Sequence, residues 1–97
     1  MSMIWEMHKW GLTSIPQPES AAIPTIGGLA RIYPQTQAMS LPRGLQISVS
    51  TDGSQWSQWA DVDFSKAVTV PYPGFIKLRA YQKSTVQVFN YKTPEEA

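Results

Sequence analysis

Gln46-Ile-Ser-Val-Ser-Thr-Asp-Gly-Ser-Gln-Trp-Ser-Gln-Trp59 is the stretch that decides how this chain folds. Leu45, Ile47 and Val49 alternate with Gln46, Ser48 and Ser50, the period of two that gives a strand one buried face. Asp52-Gly53 then predicts a tight hairpin turn, because both central positions of such a turn need positive φ. A second strand carries Trp56 and Trp59. They are three residues apart, so a regular strand sets the rings on opposite faces. Either a bulge brings them together or one ring is left for a neighbour. The expectation is that both fill the core, since large aromatics dominate small cores.

Downstream, Ala67-Val-Thr-Val70 reads as a short strand closed by Pro71-Tyr-Pro-Gly74, which cannot join a central ladder. Phe75 to Gln82 alternates cleanly, with Ile76, Leu78 and Ala80 on one face and Phe75, Lys77, Arg79 and Tyr81 on the other. A turn near Lys83-Ser84 leads into a last strand, Thr85 to Tyr91. It sets Val86 and Val88 against Phe89 and Tyr91. Short strands separated by turns predict an all-β fold, a small antiparallel β-sandwich or barrel.

The strand region from Gly44 onward is about 54 of the 97 residues, near the limit for a single stable core. There is no cysteine to staple it. Stability must therefore come from the preceding residues or from other chains. Residues 1–43 read as an extended, proline-rich N-terminal arm, holding Pro16, Pro18, Pro24, Pro34 and Pro42. Met3 to Trp10 leans to a short strand. Ile26 to Tyr33 reads as another, with Gly27 and Gly28 permitting a bulge or close backbone approach. Ile4, Trp5, Trp10, Ile15 and Ile23 make the arm too apolar to stay solvated, so it must lie on its own sheet or on a neighbour. The division is arm 1–43, body 44–92 and polar tail 93–97.

Net charge is +1 with 15% charged residues, which gives no reason to expect a nucleic acid or a membrane as partner. There is no transmembrane run and no signal-peptide pattern, so the chain is expected to be made in a cytoplasm and used without secretion. His8 is the single histidine. Without cysteine, this removes most nucleophile pairs and transition-metal sites, and no cofactor or enzymatic activity is expected. Asp61 and Asp63, with Asp52, are the residues from which an oxygen-liganded calcium would have to be built, but nothing fixes its remaining ligands. Lys77 and Arg79 between Phe75 and Tyr81 read as a solvated sheet face more readily than as a single-strand stacking platform. Trp56, Trp59 and Tyr72 are the aromatics available to a sugar ring, which makes a carbohydrate-binding module the alternative function.

Residues 48–59, with Phe75-Ile-Lys-Leu-Arg-Ala80 further on, resemble discoidin-like and fibronectin-type sandwich modules. There a serine-and-Asp-Gly hairpin precedes a tryptophan, and a later strand alternates in the same way. The chain is shorter than a full discoidin domain and lacks its earlier strands, so no binding loop is carried over. In layout, a mini-sandwich behind an extended arm is similar to small bacteriophage virion proteins: capsid decoration (cement) proteins and tail or baseplate accessory subunits. That resemblance implies a structural protein of the virion, often a trimer, bound to major capsid or tail subunits. Its contacts would come from apolar burial by Ile4, Trp5, Trp10, Ile15 and Ile23 and from strand addition at sheet edges.

Overall fold

The computed structural model describes residues 8–36, 38–71 and 73–91, with side chains from residue 11 onward. Eight strands follow one another: β1 (His8–Ile15), β2 (Ile23–Pro24), β3 (Leu29–Pro34), β4 (Gln46–Ser50), β5 (Ala60–Asp61), β6 (Val68–Thr69), β7 (Phe75–Arg79) and β8 (Ser84–Tyr91). No helix occurs among the described residues. One sheet runs β1-β8-β3-β6 and the other β2-β7-β4-β5, and every pairing is antiparallel. The fold is the all-β antiparallel sandwich that the alternating stretches predict.

The core lies where the inward positions of the two sheets meet. Ile15, Ala30, Ile32, Val86 and Val88 come from the first sheet. Ile47, Ile76 and Leu78 come from the second, and Leu45, Val70 and Ala80 from the residues flanking its strands and β6. The predicted faces of β4, β7 and β8 are those observed. β8 continues its inward face with Asn90, which is buried and fully engaged. Its Oδ1 accepts the Ile26 N–H at 2.7 Å, and its Nδ2 donates to the carbonyls of Gly27 and Leu29, both at 2.9 Å. Gly27 and Gly28, at φ 82° and 73°, turn the chain from β2 towards β3. Asn90 supplies the partners that so tight a turn leaves without a ladder.

Residues 8–34, read from the sequence as an arm, are extended, but they are strands of both sheets. β1 pairs with β8 along all eight of its residues, and β3 pairs with the other side of β8. Without β1 and β3 the first sheet would be β8 and the two residues of β6, which explains how a marginal body acquires a core. Ile15 has no exposed surface at all, so it cannot supply the partner contact expected of it. Ile23 is half-buried, opposite Ile76 in the β2–β7 pair. Trp10 stands in β1 opposite Phe89. Ile4 and Trp5 lie outside the described residues, as does Tyr72. Ahead of β2, with a cis peptide at Gln17–Pro18, Ser20 already pairs with β7: its N–H donates to the Leu78 carbonyl at 2.7 Å, and its hydroxyl accepts the Leu78 N–H at 2.9 Å.

The hairpin expectation needs correcting. Among the described residues only glycines have positive φ, and Gly53 adopts it at 79° without Asp52. Two side chains take over the work of the turn. The Ser50 hydroxyl accepts the N–H groups of Asp52 (3.2 Å) and Gly53 (2.8 Å). The Asp52 carboxylate accepts those of Ser54 (2.8 Å) and Gln55 (2.9 Å). Such side-chain capping closes a wider turn. The chain therefore swings out over residues 51–59 and meets β4 again only when the Ser57 N–H donates to the Val49 carbonyl at 2.8 Å.

Candidate functional site

Two sheets packed core to core leave two outer faces, and these hold the side chains that sequence reasoning singled out. On the β2-β7-β4-β5 sheet, the outward positions of β4 and β7 bring Gln46 opposite Arg79 and Ser48 opposite Lys77. Serine is small, so the returning 51–59 segment settles onto it. Ser48 is only 1% exposed, and its hydroxyl donates to the Ser57 carbonyl at 2.6 Å.

This seating turns both tryptophans onto the same outer face. The ammonium of Lys77 stands 4.6 Å from the Trp56 ring centroid, and the Arg79 guanidinium carbon stands 4.4 Å from that of Trp59. Both distances are within cation–π range. Lys77 also binds the Glu19 carboxylate at 2.8 Å, and Arg79 Nε donates to Gln46 Oε1 at 2.8 Å. Trp56 and Trp59 are thus half-buried outside the core, a correction to the core-filling expectation. Residues 56–59 are not regular strand, so the alternation that separates positions three apart does not apply. The cations expected to face solvent are stacked and paired, and one face of each ring that a sugar would meet carries a cation.

The aspartates do not converge. Asp61 accepts from Gln46 Nε2 at 3.0 Å, Asp52 caps its own turn, and Asp63 accepts the Ser65 hydroxyl at 2.6 Å and the Ser65 N–H at 2.9 Å. The N–H groups of Gln55 and Ser54, then the Ser50 hydroxyl, hold Asp52 below the ordinary carboxylate range. The Ser65 hydroxyl and N–H do the same for Asp63, with a smaller contribution from Lys66. Among the described residues, no three His, Cys, Asp or Glu side chains are placed to hold a metal.

The other sheet has a different exterior. Its outward rows set Leu12 beside Gln87 and Tyr33, and Phe89 beside Arg31. Arg31 sits among Tyr33, Phe89 and Tyr91, and hydrogen bonding with Tyr33, ahead of a smaller contribution from Tyr91, favours its charged form. Arg31 Nε is sealed from solvent without an acceptor. Tyr33 also forms a wall of a cleft of about 790 Å³, together with Pro34, Met39, Leu41, Phe64 and Gln87. Leu12 is 59% exposed, and Met39 and Phe64 are 50% exposed. An apolar belt thus runs from the β1 edge to the cleft, interrupted at the polar Gln87, which stands between Leu12 and Tyr33. Sequence reasoning missed it because its members come from β1, β3, the β3–β4 connection and the β5–β6 connection. Only their alternation against buried neighbours could have flagged Leu12 and Tyr33.

No protein-family model, curated protein or solved structure matches this chain.

Proposed function

We propose that this protein is a structural subunit that binds neighbouring proteins in an assembly, and that the assembly is a virion. The observation that carries the assembly reading is the uncovered belt of Leu12, Tyr33, Met39 and Phe64 on one side of a 97-residue chain. Exposed apolar groups gathered on one side mark surfaces that other proteins cover. The opposite sheet stacks Trp56 and Trp59 on its own cations, although Tyr81, just beyond β7, is 74% exposed with Arg43 over its ring. The virion itself, with major capsid or tail subunits as the neighbours, rests only on the likeness of a small β-sandwich to those of decoration and tail accessory proteins, since the arm of that layout is built into the two sheets. The carbohydrate reading has weaker support, since Trp56 and Trp59 each present one ring face to a cation of this chain.

The test is the protein composition of phage particles purified from the source of this sequence. The chain is expected as a component in fixed ratio to a capsid or tail protein. It should be lost from particles when Met39 and Phe64 are both changed to serine, with the fold intact by circular dichroism. Particles that never contain the chain would overturn the virion reading. Undiminished incorporation of the double variant would overturn the role of the belt.

A further inference from the structure

Natural sheets protect their edges, because a row of outward N–H and C=O groups is a template for another strand. Among the described residues, three of the four sheet edges are protected by brevity. β2 is two residues ending in Pro24, β5 is two residues including Asp61, and β6 is two residues. β1 is different. It runs for eight residues, pairs with β8 on one side throughout, and has no second strand beside it among the described residues. At roughly 3.4 Å per residue this edge is about 27 Å long. From Trp10 to Ile15 it carries no charge and no proline, and no bulge interrupts its register with β8.

We propose that β1 pairs antiparallel with β1 of a second copy of this chain, forming a two-fold dimer in which the two β1-β8-β3-β6 sheets continue as one eight-stranded sheet. The inference rests on the assembly reading only in treating this side of the molecule as adhesive. The occupant follows from the edges themselves. A strand of this length is matched along its whole length only by another of comparable length, and among the edge strands described in a second copy β1 alone offers one. Pairing a surface with itself also closes the contact, so association stops at two and does not propagate.

The symmetry fixes the register further. A two-fold axis perpendicular to the sheet keeps each residue on its own face, so opposite residues must have numbers of equal parity. Centring the uncharged run on the outward, exposed Leu12 sets Leu12 against its own copy, Trp10 against Ser14 and Gly11 against Thr13. Residues 9–15 then exchange about six hydrogen bonds, and Leu12 extends the apolar belt across the seam. A seam of one strand buries less than the ~1,200 Å² of a standard interface, so the dimer is a weak one.

Sedimentation of the full chain from micromolar to millimolar concentration tests this. A shift from monomer to dimer is expected. Leu12→Lys places like charges face to face and should weaken the dimer at least about tenfold while leaving the monomer folded. Leu12→Ser is a second variant without the charge and should weaken it less. Because the chain has no cysteine, Leu12→Cys gives an unambiguous readout. Directly opposite Cα atoms about 4.5–5.5 Å apart lie within disulfide reach, so mild oxidation should yield a covalent dimer. A monomer at every concentration, a trimer, or a dimer indifferent to Leu12→Lys that fails to cross-link through Leu12→Cys would overturn the proposal. A chain monomeric in solution yet incorporated into particles through Met39 and Phe64 would overturn β1 pairing while leaving the assembly reading in place.

Discussion

The two outer faces of this sandwich use similar residues in opposite ways. On the β2-β7-β4-β5 face, rings and cations satisfy one another: Glu19 holds Lys77 against Trp56, and Gln46 holds Arg79 against Trp59. On the β1-β8-β3-β6 face, Arg31 and the tyrosines form a partly covered cluster, but Leu12, Met39 and Phe64 remain half or more exposed. The difference arises from one loop. Residues 51–59 leave β4 in a side-chain-capped turn and lie back over Ser48, delivering two tryptophans to a face that would otherwise be a row of serines, glutamine and cations. Among the described residues no comparable segment crosses the other sheet. The covered face should therefore govern stability and the uncovered one association.

The largest effect expected on stability is from Trp59→Ala. Truncating a fully buried ring of this size costs roughly 3–5 kcal/mol, and Trp59 is only partly buried, so a smaller loss of about 2 kcal/mol is expected in urea unfolding. The solution mass should not change. A stability change within experimental error would mean that the ring rests on the sheet without anchoring the loop, and the contrast between faces would fail.

Arg79→Met comes next. It keeps the stem over the Trp59 ring but removes the charge and the hydrogen bond to Gln46 Oε1. About 1 kcal/mol is expected, shared between the cation–π contact and that bond. If Trp59→Ala and Arg79→Met were strictly additive in the double variant, ring and cation would not be acting on each other. A coupling of about 0.5 kcal/mol or more is the expected result.

On the uncovered face, Phe64→Ser should alter stability by less than about 0.5 kcal/mol, as for other exposed positions away from packing contacts. Its effect belongs to association and should appear as reduced retention of the full chain in particles or reduced non-specific aggregation at high concentration. A stability loss matching that of Trp59→Ala would show that the cleft wall is part of the fold and not a surface awaiting a partner.

Much of the fold was legible where one face of a strand meets the core and the next meets solvent. Ile47, Ile76, Leu78, Val86 and Val88 are all buried at the parity their sequence assigns. Legibility failed where side chains replaced backbone preference or where contacts joined distant segments. Asp52-Gly53 has the composition of a two-residue turn, yet the Ser50 hydroxyl and the Asp52 carboxylate satisfy the loop amides with only Gly53 at positive φ. Proline density marked residues 8–34 as extended but could not say that β1 and β3 flank β8, since pairing partners more than fifty residues apart leave no local pattern. Asn90 did leave a signal: it stands at the same parity as Val86 and Val88, and a polar residue on an inward face requires partners. Of the candidate site, Trp56 and Trp59 were legible as unusual rings, but their cations lie on β7, and of the belt only Leu12 and Tyr33 left a signal, their alternation against buried neighbours.

The smallest effect at neutral pH, and the most selective, is expected from Asp52→Asn. The amide oxygen of asparagine can still accept the N–H groups of Ser54 and Gln55, so the loop should keep its path over Ser48 and lose only the strengthening that a full negative charge gives to those bonds. The consequence appears with acid. In the folded protein Asp52 holds its proton less tightly than the ordinary value of 3.8, so the unfolded chain takes up a proton before the folded one does. The stabilisation from this carboxylate is complete above the unfolded-state pKa and is lost as pH falls through the lower, folded-state one. Wild-type protein should therefore lose stability more steeply than Asp52→Asn as pH falls below about 4, as read from urea midpoints taken on acidification. Asp63 is lowered by its Ser65 contacts with the same sign, so the variant should keep part of the acid dependence and not become flat. Identical curves would mean that the Asp52 charge does not hold the turn. The seating of Trp56 and Trp59 would then rest on Ser57, Lys77 and Arg79 alone.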